Sequence, residues 1–427
     1  MTLSIVALDA IEILDSRGNP TLRVWIRLSD GSEAYADVPS GVSRGTNEAL
    51  ERRDDEDSWF DGYGVRRAVA GIRDVIRPAL LGRDPTCQPE VDQHLIELDG
   101  TANKARLGSN ATVGVSMAVA RVASMALHIP LYKYLGGSTA RRLPVPMMTV
   151  IDGGKHANNG LEFQEFMIVP RGAPAFSEGL RYVVDTFRCL RAILHQRGLS
   201  TAVGDEGGFA PDLESNEQAC QFVLNAIEDA GYKPGEQIAI ALDAAATTFV
   251  ESGSYAIRGS GVRYRTTAEM IDLYHEWACR YPIVSIEDGL GEDDWEGFRQ
   301  LTARLGDKTQ IVGDDLYTTN VRLLRRGVAE MTTNAALIKL NQIGTLTETV
   351  QAIELCRQAG WGYVISHRSG DTADPFIADF AVAMGGGQIK SGAPCRGERI
   401  AKYNRLLTIE RELRSQAQFW DPFAGLE

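Results

Sequence analysis

ALDAA (241–245), VSIEDG (284–289), IVGDD (311–315) and ALIKLNQ (336–342) are short apolar runs that each end abruptly in a charged residue: Asp243, Glu287, Asp314 and Lys339. From Glu287 to Asp314 is 27 residues and from Asp314 to Lys339 is 25. That is the length of one strand, one helix and two loops, so the period predicts a parallel βα architecture. YVISHRS (363–369) and QIKSG (388–392) continue the rhythm. Buried parallel strands read as unbroken apolar runs, and barrel active sites lie at strand C-terminal ends. The charged residues that end these runs are therefore expected to share one mouth. Three acids meeting with no cation nearby would repel one another, so a bound divalent metal is expected at Asp243, Glu287 and Asp314. An all-oxygen donor set favours Mg²⁺ over Zn²⁺.

Outward from these strands, the chain of 427 residues is too long for one ordinary core, which predicts two domains. Residues 3–37 alternate apolar and polar around turn signals, the pattern of an antiparallel meander. Helical periodicity is clearest at 65–81, 110–127 and 178–197, and the basic stretch 396–414 is also helical. GGSTARRLPVP (136–146) is the expected junction, which divides the chain into an N-terminal α+β capping domain, 1–137, and a barrel domain, 138–427. The net charge of −13 argues against a nucleic-acid or anionic-membrane partner. No apolar stretch is long enough to span a bilayer, and six cysteines without CxxC spacing read as reduced, cytosolic thiols.

Several side chains suit chemistry. Lys339, after a buried run, is either a salt-bridge partner of Asp314 or Asp315 or a general base whose pKa burial and a nearby cation would lower. Glu206 sits in the Gly-rich loop TAVGDEGGFAP (201–211), and Gln164 and Glu165 stand just before another apolar run. Paired carboxyls raise one another's pKa, so Glu206 with Glu165 can handle protons. His156 and His367 are open between core and functional roles. Arg368 and Ser369 offer a fork and a hydroxyl suited to a phosphate, and Lys390 adds a cation at the next strand end. Together these parts fit proton abstraction beside a carboxylate, followed by loss of a leaving group.

DSRGNPT (15–21), PSGVS (39–43), LPVPMM (143–148), QEFMI (164–168), VGDEGGFAP (203–211), SIEDG (285–289), VGDDL (312–316), LIKLNQIGTLTE (337–348), ISHRSG (365–370) and AKYN (401–404) resemble the enolase family over almost the whole chain. The resemblance implies an N-terminal α+β domain and a C-terminal eight-stranded TIM-like barrel whose first elements depart from simple βα order. It implies two Mg²⁺ per site, the first on Asp243, Glu287 and Asp314, the second helped by Ser43. By the same resemblance Lys339 removes the C2 proton of 2-phospho-D-glycerate. Glu206, supported by Glu165, protonates the departing C3 hydroxyl, giving phosphoenolpyruvate and water. His156, Gln164 and His367 would line the pocket, Arg368 and Ser369 hold the phosphate, and Lys390 the far end of the substrate. A cytoplasmic homodimer or higher homo-oligomer is implied as well. Several positions depart from the family pattern: Arg44 replaces a threonine, Asp152 an asparagine, Lys155 an acid or small residue, a threonine near 248 a glutamate, and GDTADPF (370–376) a GETED-like stretch. Arg44 and Lys155 add positive charge where the ligand is anionic. They raise an alternative substrate, the carboxylated phosphorus compound of a carboxyphosphonoenolpyruvate synthase.

Overall fold

The computed structural model describes residues 3–41, 45–55, 59–257 and 263–426. The expected meander is present: β1 (Ile5–Leu14), β2 (Pro20–Leu28) and β3 (Glu33–Asp37) form an antiparallel sheet in sequence order. Its inward side chains, among them Leu22, Val24 and Ile26, are fully buried. The long helix Ser109–Ala126 packs on this sheet. Gly114 of that helix lies so close to Val24 and Val38 that an added Cβ would fall within 3 Å of both.

After residue 140 the chain closes a barrel. Its strands are β4 (Val145–Asp152), β5 (Glu165–Val169), β6 (Ala239–Asp243), then, after the small hairpin sheet β7 (Val250–Glu251), β8 (Ser254–Ile257) and β9 (Arg263–Arg265), β10 (Ile283–Glu287), β11 (Gln310–Gly313), β12 (Ala335–Ile338), β13 (Gly362–Ser366) and β14 (Gln388–Lys390). The order around the barrel is β10-β11-β12-β13-β14-β4-β5-β6, and β5 alone runs antiparallel to both its neighbours. The hairpin sheet interrupts the βα alternation expected from residue 215 onward. Its strands are two to four residues long, too short to give a periodic signal.

Two-residue alternation explains why the charges meet. Ala239 and Ala241 of β6, Val312 of β11, and Ala335 and Leu337 of β12 pack in one inner cluster with Met167, Val364 and Phe423. Their odd neighbours Ile240, Leu242, Ile311, Ala336 and Ile338 pack outward against the helices. Continuing the inner series by two residues reaches Asp243, Asp314 and Lys339, and on β14 the series Gln388, Lys390. The reversed β5 delivers Glu165 to the same mouth. Among the described residues no helix is long and apolar enough to cross a membrane.

Candidate active site

Strand register makes Asp243 the direct neighbour of Glu287 on one side and of Glu165 on the other. The Lys390 ammonium fills the space between them. It lies 2.7 Å from Asp243 Oδ2, 3.0 Å from both Glu287 oxygens and 2.9 Å from Glu165 Oε1. Burial alone would lower this lysine's pKa, but three carboxylates hold it well above the usual range. Asp314 turns the other way: its Oδ2 is 2.5 Å from Lys339 Nζ, and its Oδ1 accepts from Gln342 Nε2 at 2.8 Å.

As the shared mouth implies, two ammonium groups, Lys339 and Lys390, reach the acids. Of the two readings of Lys339 the ion pair with Asp314 is the one present, and the lowered pKa is corrected: burial pulls it down, yet Asp314 outweighs that and raises it. Burial, then the charge of Asp243, drives Glu287 well above the ordinary carboxylate range, while Lys339 holds Asp314 below it against burial. Lys390 is a stand-in cation between Asp243 and Glu287, so this oxygen-rich pair accepts a hard positive charge, as a Mg²⁺ site requires. Asp243, Glu287 and Asp314 do not bring ligand oxygens within 4.8 Å of one another. Among the described residues two other trios do, His156–Glu165–Glu206 and Asp288–Asp314–Asp315. Asp288 is already committed, accepting the backbone N–H of Asp314 at 2.8 Å and of Asp315 at 2.9 Å.

The second half of the site gathers Glu206, Glu165, Asp152, His156 and His367, all buried. His156 Nε2 is 3.6 Å from Glu206 Oε1, and His367 Nε2 is 2.9 Å from Glu206 Oε2. Burial pushes His367 down to about 4 and lowers His156, so both imidazoles are neutral at pH 7. Of the two, only His367, at 2.9 Å, is close enough to offer Glu206 an N–H, and it does so without a charge. Burial, and then the neighbouring Glu206, raises Asp152 and Glu165 well above the carboxylate range. Glu206 is equally buried, which alone would raise it, but it is held low by its hydrogen bond from His367 and by the charge of Arg399. Glu165 and Glu206 are thus a coupled pair of opposite tendency, and Glu165 Oε2 accepts from Thr149 Oγ1 at 2.6 Å. Asp152 accepts the Glu206 N–H through Oδ2 at 3.2 Å.

Arg399 was not legible from strand periodicity. It is fully buried on the helix Gly397–Leu413, two residues before the AKYN motif. It donates to the carbonyl oxygens of Arg368 and Ser369, each at 2.6 Å, and of Asp205 at 3.0 Å. Its Nη1 also lies 2.7 Å from His367 Nδ1. A guanidinium can only donate, so Nδ1 presents its lone pair and the single proton of neutral His367 sits on Nε2, facing Glu206. Arg399 therefore fixes both the backbone of the Arg368–Ser369 loop and a tautomer.

Arg368 makes a two-point contact with Glu48 at 2.9 and 3.1 Å and a further bond to Asn341 at 3.1 Å. An added Cβ at Gly41 would overlap its guanidinium, so the PSG stretch closes directly over Arg368. Ser40 and Gly370 exchange backbone hydrogen bonds at 2.7 and 2.8 Å, tying that stretch to the loop carrying Ser369. Gln164 Nε2 points to Asp243 Oδ2 at 3.4 Å. Ser43 and Arg44 lie outside the described residues. Lys155 is exposed. It faces an outer cavity of about 900 Å³ with Arg17 and Arg53 instead of the inner cleft. The inner cleft, which His156, Gln164, Glu165, Glu206, Lys339 and Lys390 line, holds about 20 Å³, little more than one water, so a substrate must part these side chains to enter.

Family models match both parts of the chain: an enolase N-terminal domain over residues 5–135 and an enolase C-terminal TIM barrel domain over 140–424. The chain belongs to the enolase family. It is 58% identical over 419 residues to Enolase 1 of Methylococcus capsulatus, covering 98% of this chain and 100% of that one. It is 55% identical to the Enolase of Desulfotalea psychrophila over 418 residues and to that of Methanopyrus kandleri over 417, each covering 97% of this chain and 99% and 97% of theirs. The enolase barrel expected from the strand-end residues, and the hydro-lyase class it carries, stand on these matches. The carboxyphosphonoenolpyruvate alternative draws no support from them, and the outward position of Lys155 removes half of its rationale.

Proposed function

We propose that this enolase dehydrates 2-phospho-D-glycerate to phosphoenolpyruvate through two facing halves of one site. The observation that carries the reading is the convergence of Lys339, on one side, and the Glu206–Glu165 pair, on the other, upon the cleft that also holds Arg368 and Ser369. Asp243, Glu287 and Asp314 are the residues that would hold one Mg²⁺, with Ser43 contributing to a second. When bound, such ions neutralise the substrate carboxylate and make the adjacent C–H more acidic.

The chain's own groups do the rest. Lys339 leaves Asp314, sheds its extra proton, and accepts the one from C2. The proton stored on Glu165 reaches the C3 hydroxyl through Glu206, whose orientation His367 and His156 hold. Arg368, supported from behind by Glu48, and Ser369 receive the phosphate. Lys390 moves from Asp243 and Glu287 toward the substrate's anionic end, which also opens the cleft. The domain division at 137/138 falls between the two matched stretches. A cytoplasmic homodimer or larger homo-oligomer fits the family resemblance and the six free cysteines.

The test is direct turnover. Purified protein with Mg²⁺ should convert 2-phosphoglycerate to the enol phosphate at ordinary enzymatic rates, kcat of about 1–10³ s⁻¹, and EDTA should abolish it. Failure to turn over this substrate under those conditions overturns the reading.

A further inference from the structure

The opposite end of the barrel, where β4, β13 and β14 begin, carries a second feature. The junction segment 136–142, the loop 382–388 and the tail 418–422 enclose a cavity of about 640 Å³. That is within the range of small-molecule sites, roughly 300–1,000 Å³. Three guanidinium groups line it: Arg141 and Arg142 of the ARRLP stretch, and Arg357. None of the three makes an ion pair among the described residues. Arg357 donates through Nε to Tyr363 Oη at 3.0 Å, and Arg142 through Nη1 to Gly385 O at 3.3 Å, which leaves most of their N–H groups unused.

This arrangement runs against the chain's composition. Acids outnumber bases 57 to 44, yet among the described residues no carboxylate pairs with these three cations. Burial and the charge of Arg357 both press on Arg142. Like charges gathered at a cavity wall cost free energy that a bound anion would offset. The wall also has a ring platform. The Arg142 guanidinium lies 3.6 Å from the centroid of Trp420, and Trp420, which also lines the cavity, remains 51% exposed. Tyr363 is buried beneath, its hydroxyl donating to Met384 O at 2.8 Å.

We propose that this cavity binds a small phosphorylated ligand bearing a planar ring, of the nucleoside phosphate class. Arg142 and Arg357 take the phosphate and the exposed Trp420 indole takes the ring. The site is at the far mouth from Lys339 and Asp243, so it fills independently of the substrate.

The experiment is calorimetric titration of the full chain, with Mg²⁺ and the equilibrated 2-phosphoglycerate/phosphoenolpyruvate mixture saturating the active site. The probes are ADP, adenosine and inorganic phosphate. ADP should bind once per chain with Kd below about 1 mM, and phosphate and adenosine each at least about tenfold more weakly. Arg357→Gln should weaken ADP at least about tenfold while turnover stays within about twofold. Trp420→Leu should weaken ADP but not phosphate, and as an exposed position it keeps the proposal testable if the arginine variant misfolds. No ADP binding at millimolar concentration, equal binding of ADP and phosphate, or undiminished ADP binding in Arg357→Gln overturns the proposal.

Discussion

Two groups of carboxylates face each other at one barrel mouth, and each escapes its mutual repulsion differently. Asp243, Glu287 and Asp314 are offset by ammonium groups, Lys390 between the first two and Lys339 on the third. Around Asp152, Glu165 and Glu206, burial and mutual repulsion raise the first two, and imidazoles and a buried guanidinium stand beside the third. Lys390 touches both groups, through Asp243 and through Glu165. The difference bears on the proposed chemistry: in that reading the cation-compensated cluster exchanges its lysine for a metal, whereas the cluster with raised carboxyls supplies the proton that a leaving hydroxyl needs.

The comparison can be broken from either side. The largest effect is expected at the first group. Glu287→Gln removes an anionic donor and should cut Mg²⁺ affinity by at least about 100-fold, read by titrating metal into the protein without substrate. An affinity within a few-fold of the parent would remove Glu287 from the cation cluster. Next comes the support of the second group. Arg399→Met should lower kcat about 100-fold with little change in KM, and Arg399→Lys should recover part of it. The ¹⁵N signature of His367 should move from the Nε2–H tautomer toward a mixture. An unchanged signature would show that Arg399 does not set the tautomer.

A smaller effect concerns stability. Asp152 has a folded-state pKa raised well above its ordinary 3.8, so burying it is least costly below that value. The cost grows as pH rises from there toward the folded pKa. Asp152→Asn should therefore raise Tm at pH 7, with the gain shrinking as pH falls to about 4. A gain that is flat with pH would mean that Asp152 is ionised in the native state. The smallest effect is at the rim. Lys155→Glu should change kcat/KM for 2-phosphoglycerate by less than about threefold, since an exposed charge is screened. A tenfold change would return Lys155 to the substrate site.

How far the sequence discloses this site depends on the element. The strand-end residues Asp243, Glu287, Asp314 and Lys339 were legible because alternation and a fixed period carry inward positions to one mouth. The reversed β5 was not readable from period alone, nor was the hairpin sheet β7–β9. Glu48 and Arg399 act from a loop and a helix distant in sequence, and nothing in their local pattern marks an ion-pair partner for Arg368 or a tautomer-setting guanidinium. The sequence leaves Lys339 open between an ion pair with Asp314 or Asp315 and a lowered pKa for a similar reason. Which holds depends on the neighbour its amine reaches, and the three-dimensional arrangement gives it Asp314.

The central claim is the division of labour between the two halves, and deuterium wash-in at C2 of 2-phosphoglycerate tests it most directly. With Mg²⁺ present in D₂O, Lys339→Ala should show neither exchange nor elimination, while Glu206→Gln should still incorporate deuterium at C2 and form almost no phosphoenolpyruvate. Exchange surviving in Lys339→Ala, or absent in Glu206→Gln, would contradict it.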